Sequence, residues 1–140
     1  FYRPIPALYF AGLYSLSGTT PFLYHLLQIL LHIANSVLIF ILFKHFFNRN
    51  VSLLLALIFL VHPMNVESVS YIASSVSVLF LFFGLLALVL SFKQELKGGK
   101  LFSIFCLILL SMLTKETGFL FLLMLLFFRF LYKKRSFILF

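Results

Sequence analysis

The chain has 140 residues, 64% apolar and 10% charged, and a formal charge of +8 from eleven basic and three acidic residues. A soluble domain holds about 45–50% apolar and about 25% charged residues, so this composition fits neither a soluble globular fold nor a disordered chain. A mean hydropathy of +1.19 argues against reading the basic excess as a nucleic-acid surface, and a single cysteine, Cys106, excludes an internal disulfide framework.

Lipid is the solvent such a chain calls for, and a spanning helix needs about 20 apolar residues. The sequence therefore predicts an all-α, polytopic transmembrane bundle of about five spanning helices, preceded by an interfacial helix. Residues 4–16 are apolar but too short to span, and Tyr2, Tyr9 and Tyr14 suit headgroup depth, so this piece reads as the interfacial helix. Residues 22–43 form the first span, with Thr20 as N-cap and Pro21 at the first helical position, where its missing N–H costs nothing. Residues 51–62 form a shorter one, opened by Asn50 as N-cap and closed by His62-Pro63, since proline disfavours helix at the residue before it. Residues 69–92, 101–113 and 118–132 supply the remaining spans, and residues 136–140 read as the start of another helix, cut short. Asn50-Val51-Ser52 matches a glycosylation sequon, but its predicted cytoplasmic position favours the capping role.

The basic residues fix the orientation of these spans, because cytoplasmic loops hold an excess of Lys and Arg. Loops 44–50, 93–100 and 129–135 contain nine of the eleven, and only Arg3 and Lys115 fall in the alternate segments. The split predicts that 44–50, 93–100 and 129–135 are cytoplasmic and that 1–21, 62–68 and 114–117 are external or lumenal.

Polar groups inside spanning segments are costly and mark functional candidates. His25, Gln28, His32 and Asn35 are spaced by 3, 4 and 3 residues, which places them on one helical stripe. Interhelical hydrogen bonding accounts for His32 and Asn35 as readily as a binding role does. His62-Pro63-Met64-Asn65-Val66-Glu67 lies between spans. Pro63 ends one helix there and Glu67 suits the positive start of the next. One His and one Glu five residues apart fall short of a metal site, and no cofactor-binding motif is present. In Thr114-Lys115-Glu116-Thr117-Gly118 the two charges are adjacent, so within a helix they do not face each other. Two pairings are open: Lys115 with Glu67, or Glu116 with Arg3.

Taken in order, Tyr2-Arg3-Pro4, then His25, Gln28 and His32, then His62-Pro63 with Glu67 and Val69, then Lys115-Glu116-Thr117-Gly118, resemble the membrane region of a known family. These are the transmembrane and tetratricopeptide-repeat O-mannosyltransferases and their bacterial relatives, polytopic glycosyltransferases of the GT-C fold. Arg3, His25, His32, His62, Pro63, Glu67, Lys115, Glu116 and Gly118 match the family's motifs. Gln28 stands where an Asn is usual, and Ser75 and Ser77 stand where relatives carry an Arg and an acidic residue.

The resemblance implies transfer of a sugar, mannose, from a polyprenyl-phosphate donor to a protein or glycan acceptor at the outer or lumenal face. Membrane lipid is the other partner, and no nucleic acid is involved. It implies that Arg3, Lys115 and His62 bind the donor phosphate, that Glu67, Glu116, His25, His32 and Gln28 support and orient them, and that the catalytic carboxylate lies upstream of residue 1. Two other classes remain open: a transporter or flippase segment for a lipid-linked substrate, and a membrane subunit without chemistry of its own.

Overall fold

The computed structural model describes residues 3–92 and 98–138, and side chains as far as residue 130. Among the described residues every regular element is helical: α1 (Pro4–Ser17), α2 (Pro21–Phe43), α3 (Arg49–Val61), α4 (Val66–Ser70), α5 (Ser75–Ser91), α6 (Gly98–Thr114) and α7 (Phe119–Ile138), with single 3-10 turns at Pro63–Asn65, Ile72–Ser74 and Glu116–Gly118. Tyr2, the basic residues Lys93 and Lys97 of the predicted 93–100 loop, and residues 139–140 lie outside the described residues.

The number of spanning helices differs from the sequence expectation. Among the described residues two helices are long and apolar enough to cross a bilayer, Pro21–Phe43 with 23 residues and Ile72–Ser91 with 20, which makes this a multi-pass membrane protein. A third crossing is available only if the bent pair Arg49–Val61 and Pro63–Ser70, broken by 48°, acts as one span. About five was therefore too many, for three physical reasons. The 51–62 stretch ends at Pro63 and kinks. The 101–113 stretch sits in α6, apolar but only 17 residues long. The 118–132 stretch belongs to α7, which runs unbroken through Arg129, Lys133, Lys134 and Arg135.

Local boundaries also move. The 69–92 stretch is not one helix, because Tyr71 is extended (φ −101°, ψ 114°) and separates α4 from the turn that leads into α5. Ser136 lies inside α7, where a new helix was expected. Asn48, not Asn50, occupies the N-cap position of α3 and makes no side-chain cap, while the buried Ser52 donates to the Asn48 carbonyl at 3.0 Å. Thr20 precedes α2 as expected, but its hydroxyl turns back to the Ser17 carbonyl (2.6 Å) instead of capping. Gly18, with φ +58°, ends α1 by donating its N–H to the Tyr14 carbonyl (2.8 Å).

Helix α5 is the centre of the bundle. One cluster joins Leu38, Ile39 and Leu42 of α2, Ala56 of α3, Leu85 and Leu88 of α5 and Phe121 of α7; a second joins Ala87 of α5 to Ile104 and Ile108 of α6. Lipid is as apolar as leucine, so helices associate there through close packing and interhelical hydrogen bonds rather than hydrophobic gain. Both devices are present. Gly84 admits the Phe121 ring to a place where any Cβ would collide with it. Asn35 Nδ2 donates to the Val78 carbonyl (3.0 Å) and Ser111 Oγ to the Phe80 carbonyl (2.9 Å), joining α2 and α6 to α5. The outward faces are apolar, with Val37, Leu53, Phe105 and Leu126 exposed.

Candidate functional site

Two breaks in the helices shape the end of the bundle where the candidate residues gather. The first follows from Pro63. Without an N–H it cannot satisfy the Phe59 carbonyl one turn earlier, and Asn65 Nδ2 does so instead at 2.6 Å. The Leu60 carbonyl loses its partner as well, because the Met64 N–H turns to His62 Nδ1 (3.2 Å). His32 Nε2 donates to that carbonyl at 3.1 Å, which places its proton on Nε2. The second break is at Tyr71, where Gln28 Nε2 donates both to the Ser68 carbonyl and to the Tyr71 carbonyl, the latter at 3.0 Å.

The stripe read from the sequence is therefore real as a face, and its work is structural. Gln28, His32 and Asn35 are buried, and each supplies a donor to a backbone carbonyl of another element. In hydrocarbon an unpaired carbonyl costs several kcal/mol. The amide oxygens of Gln28 and Asn35 are themselves enclosed without a partner. His25, one turn toward the start of α2, is half-buried and makes no hydrogen bond or ion pair among the described residues.

The bend carries His62 and Glu67, both exposed. Neither is joined by a hydrogen bond or ion pair to Arg3, Lys115 or Glu116. Those three form a group of their own. Of the two pairings left open by the sequence, the structure has Arg3 with Glu116, Nη2 to Oε1 at 3.7 Å, on a surface where the side chains keep 41% and 66% of their exposure. Lys115 points elsewhere: Nζ donates to Ser77 Oγ at 3.2 Å and lies 5.2 Å from the centre of the Phe80 ring. Residue 115 is extended (φ −150°, ψ 137°) between the end of α6 and the Glu116–Gly118 turn, which sends consecutive side chains apart. Gly118 allows the turn, since a Cβ there would lie 2.5 Å from the Ser111 backbone carbon.

Sequence reasoning did not foresee the contacts of four of the residues that build this region. Ser77 and Phe80 hold Lys115, and no local pattern announces it. Asn65 was legible in principle, because Pro63 leaves a carbonyl that needs a nearby donor. Tyr9 is the fourth: burial raises the pKa of its phenol above the ordinary value, an effect that the nearby Ser75 hydroxyl partly offsets. Ser75 itself is buried and donates to the Ile72 carbonyl at 2.6 Å.

The chain is similar to several known proteins. The human protein O-mannosyl-transferase TMTC1 is 36% identical over 132 residues, covering 84% of this chain and 15% of the relative. The Xenopus laevis protein O-mannosyl-transferase tmtc2 is 37% identical over 125 residues, covering 84% and 15%. The Caenorhabditis elegans protein O-mannosyl-transferase F38B6.6 is 31% identical over 121 residues, covering 84% and 17%. The chain thus spans about one sixth of the length of these relatives. No solved structure matches it. The family model for dolichyl-phosphate-mannose-protein mannosyltransferases matches residues 3–139, from Arg3 through the Lys115–Gly118 turn and all of α7, and the chain belongs to that family.

Proposed function

We propose that the full-length protein transfers mannose from a polyprenyl-phosphate donor to a Ser or Thr hydroxyl of a protein acceptor at the outer or lumenal face, and that Arg3 and Lys115 hold the donor phosphate there. In this reaction the hydroxyl oxygen bonds to the anomeric carbon while the bond from that carbon to the phosphate oxygen breaks, and the phosphate leaves with the electron pair. A base takes the hydroxyl proton. The leaving phosphate gains negative charge, so fixed cations beside it stabilise the transition state.

The observation that supports the reading is the set of partners around Lys115. A hydroxyl and an aromatic ring hold the ammonium in place without cancelling its charge. Arg3 stands beside the same turn, engaged by Glu116 at the surface, and an arginine can grip a phosphate through two parallel N–H groups. His62 is the third phosphate contact in this proposal, reached from the bend. Glu116 orients Arg3, Glu67 supports the short helix α4, and Gln28 and His32 hold the two helix breaks in shape. His25 is left available to the donor or acceptor. The segments at 44–50 and 129–135, the latter inside α7, face the cytoplasm in this arrangement.

The test is sugar transfer by the full-length protein in membranes. Arg3→Ala and Lys115→Ala abolish mannosyl transfer from a polyprenyl-phosphate mannose while leaving membrane insertion intact, and unchanged turnover in both rejects the phosphate role. A reporter fused after Lys100 reads as cytoplasmic if the orientation is right.

A further inference from the structure

The end of the bundle opposite Lys115 has a feature that the transfer chemistry does not use. Three phenylalanines from three separate segments close into a triangle: Phe46 from the turn between α2 and α3, Phe92 just after α5, and Phe128 of α7. Their ring centres are 5.5 Å (Phe46 to Phe92), 5.4 Å (Phe46 to Phe128) and 5.4 Å (Phe92 to Phe128) apart. His45 lies against Phe92 at 5.0 Å and donates from Nδ1 to the Ile41 carbonyl at 2.9 Å, so the turn is fixed on both sides. Aromatic pairs at such separations attract each other beyond what area burial contributes.

The triangle gathers charge as well as rings. Lys44 and Arg49 lie two and three residues from Phe46 in sequence, and Arg129 follows Phe128; all three are exposed. Lys44 Nζ sits 5.7 Å from the Phe40 ring, a contact that leaves its charge intact. Arg49 opens α3, where the helix dipole is already positive, and neither a capping side chain nor an acidic residue in the first turn offsets it. Lys44, Arg49 and Arg129 have no ion-pair partner among the described residues, and the Arg3–Glu116 pair lies at the other end. The packing therefore brings three segments that carry like charges to one end of the bundle, beside the exposed rings of Phe47, Phe127 and Phe130.

We infer that this face binds the headgroup of an anionic phospholipid in the adjacent leaflet, with Lys44, Arg49 and Arg129 around the phosphate and the neighbouring phenylalanines against the acyl chains. A basic residue near an anionic bilayer surface gains about fivefold in affinity, so the gathered set gives a selective site where scattered charges would give only a diffuse attraction.

The experiment uses the full-length protein in nanodiscs of phosphatidylcholine with a minor fraction of phosphatidylglycerol, reading the phosphatidylglycerol retained beside the protein and the melting temperature with and without it. Wild type enriches phosphatidylglycerol and is stabilised by it. Replacing Lys44, Arg49 and Arg129 together by Gln removes both effects, each cation accounting for about a fivefold loss. Phe46→Ala keeps every charge but opens the triangle, and it reduces the enrichment severalfold. Retention of full enrichment by the triple variant overturns the site. Full enrichment in Phe46→Ala overturns the role of the triangle and reduces the effect to net charge, which also rejects the proposal. Mannosyl transfer is not the readout, so failure here leaves the proposed activity standing.

Discussion

Lys115 and Ser77 meet at 3.2 Å, ammonium to hydroxyl, across 38 residues of sequence. Ser77 lies in the first turns of α5, so this bond anchors the turn after α6 to the start of the central helix. A carboxylate at position 77 would pin the lysine equally well and cancel its charge; serine pins it and leaves the charge.

The first prediction follows directly. Ser77→Asp places an anion beside Lys115, holding or raising the melting temperature while it raises the KM for the polyprenyl-phosphate donor. Ser77→Ala leaves the charge but loses the hydrogen bond, at a cost of about 1.5–3 kcal/mol for a bond to a charged group. Steady-state transfer kinetics and thermal unfolding of the two variants separate pinning from neutralisation.

Gln28→Leu keeps the apolar volume of α2 but removes the donor shared by the Ser68 and Tyr71 carbonyls. Each buried acceptor left unpaired costs about 1–3 kcal/mol, so the variant unfolds earlier, and amide hydrogen exchange rises around Ser68–Ile72 before it rises in the middle of α5. His32→Phe has the corresponding effect around Leu60 and the Pro63 bend.

Gly84→Ala drives a methyl group into the Phe121 ring. Overpacking of this kind costs about 1–3 kcal/mol. Because the obstacle is a side chain, Gly84→Ala combined with Phe121→Leu recovers part of the loss, and a double-mutant cycle on melting temperature shows the coupling.

Gly118→Ala has no such rescue, since the nearest atoms are the Ser111 carbonyl carbon (2.5 Å) and oxygen (2.6 Å). The backbone of the Glu116–Gly118 turn has to shift. Transfer activity falls further than Gly84→Ala lowers it at equal loss of stability, because Lys115 and Glu116 move with the turn.

Glu116→Gln tests an exposed pair. Such pairs contribute about 0.2–1 kcal/mol, so the melting temperature changes little. If Glu116 orients Arg3, donor KM rises while stability holds; an unchanged KM removes Glu116 from the site.

Much of this protein is written in its sequence. Apolar content far above that of a soluble domain demands a membrane, and runs of apolar residues bounded by Pro21, Lys44 and Pro63 mark helices, because helix and breaker chemistry are local. The Gln28, His32 and Asn35 stripe was legible for the same reason, as helical spacing alone puts the three on one face. The use of that stripe was not. Which carbonyls need donors depends on where Pro63 and Tyr71 break their helices and on which helix lies alongside. Tertiary packing also put Ser77 in place of the expected Glu67 beside Lys115, chose Glu116 for Arg3, and reduced five expected crossings to two or three. Apolar run length measures hydrophobicity along the chain, whereas spanning requires an unbroken axis. Charges far apart in sequence meet only when close contacts such as those at Gly84 and Gly118 bring their helices together.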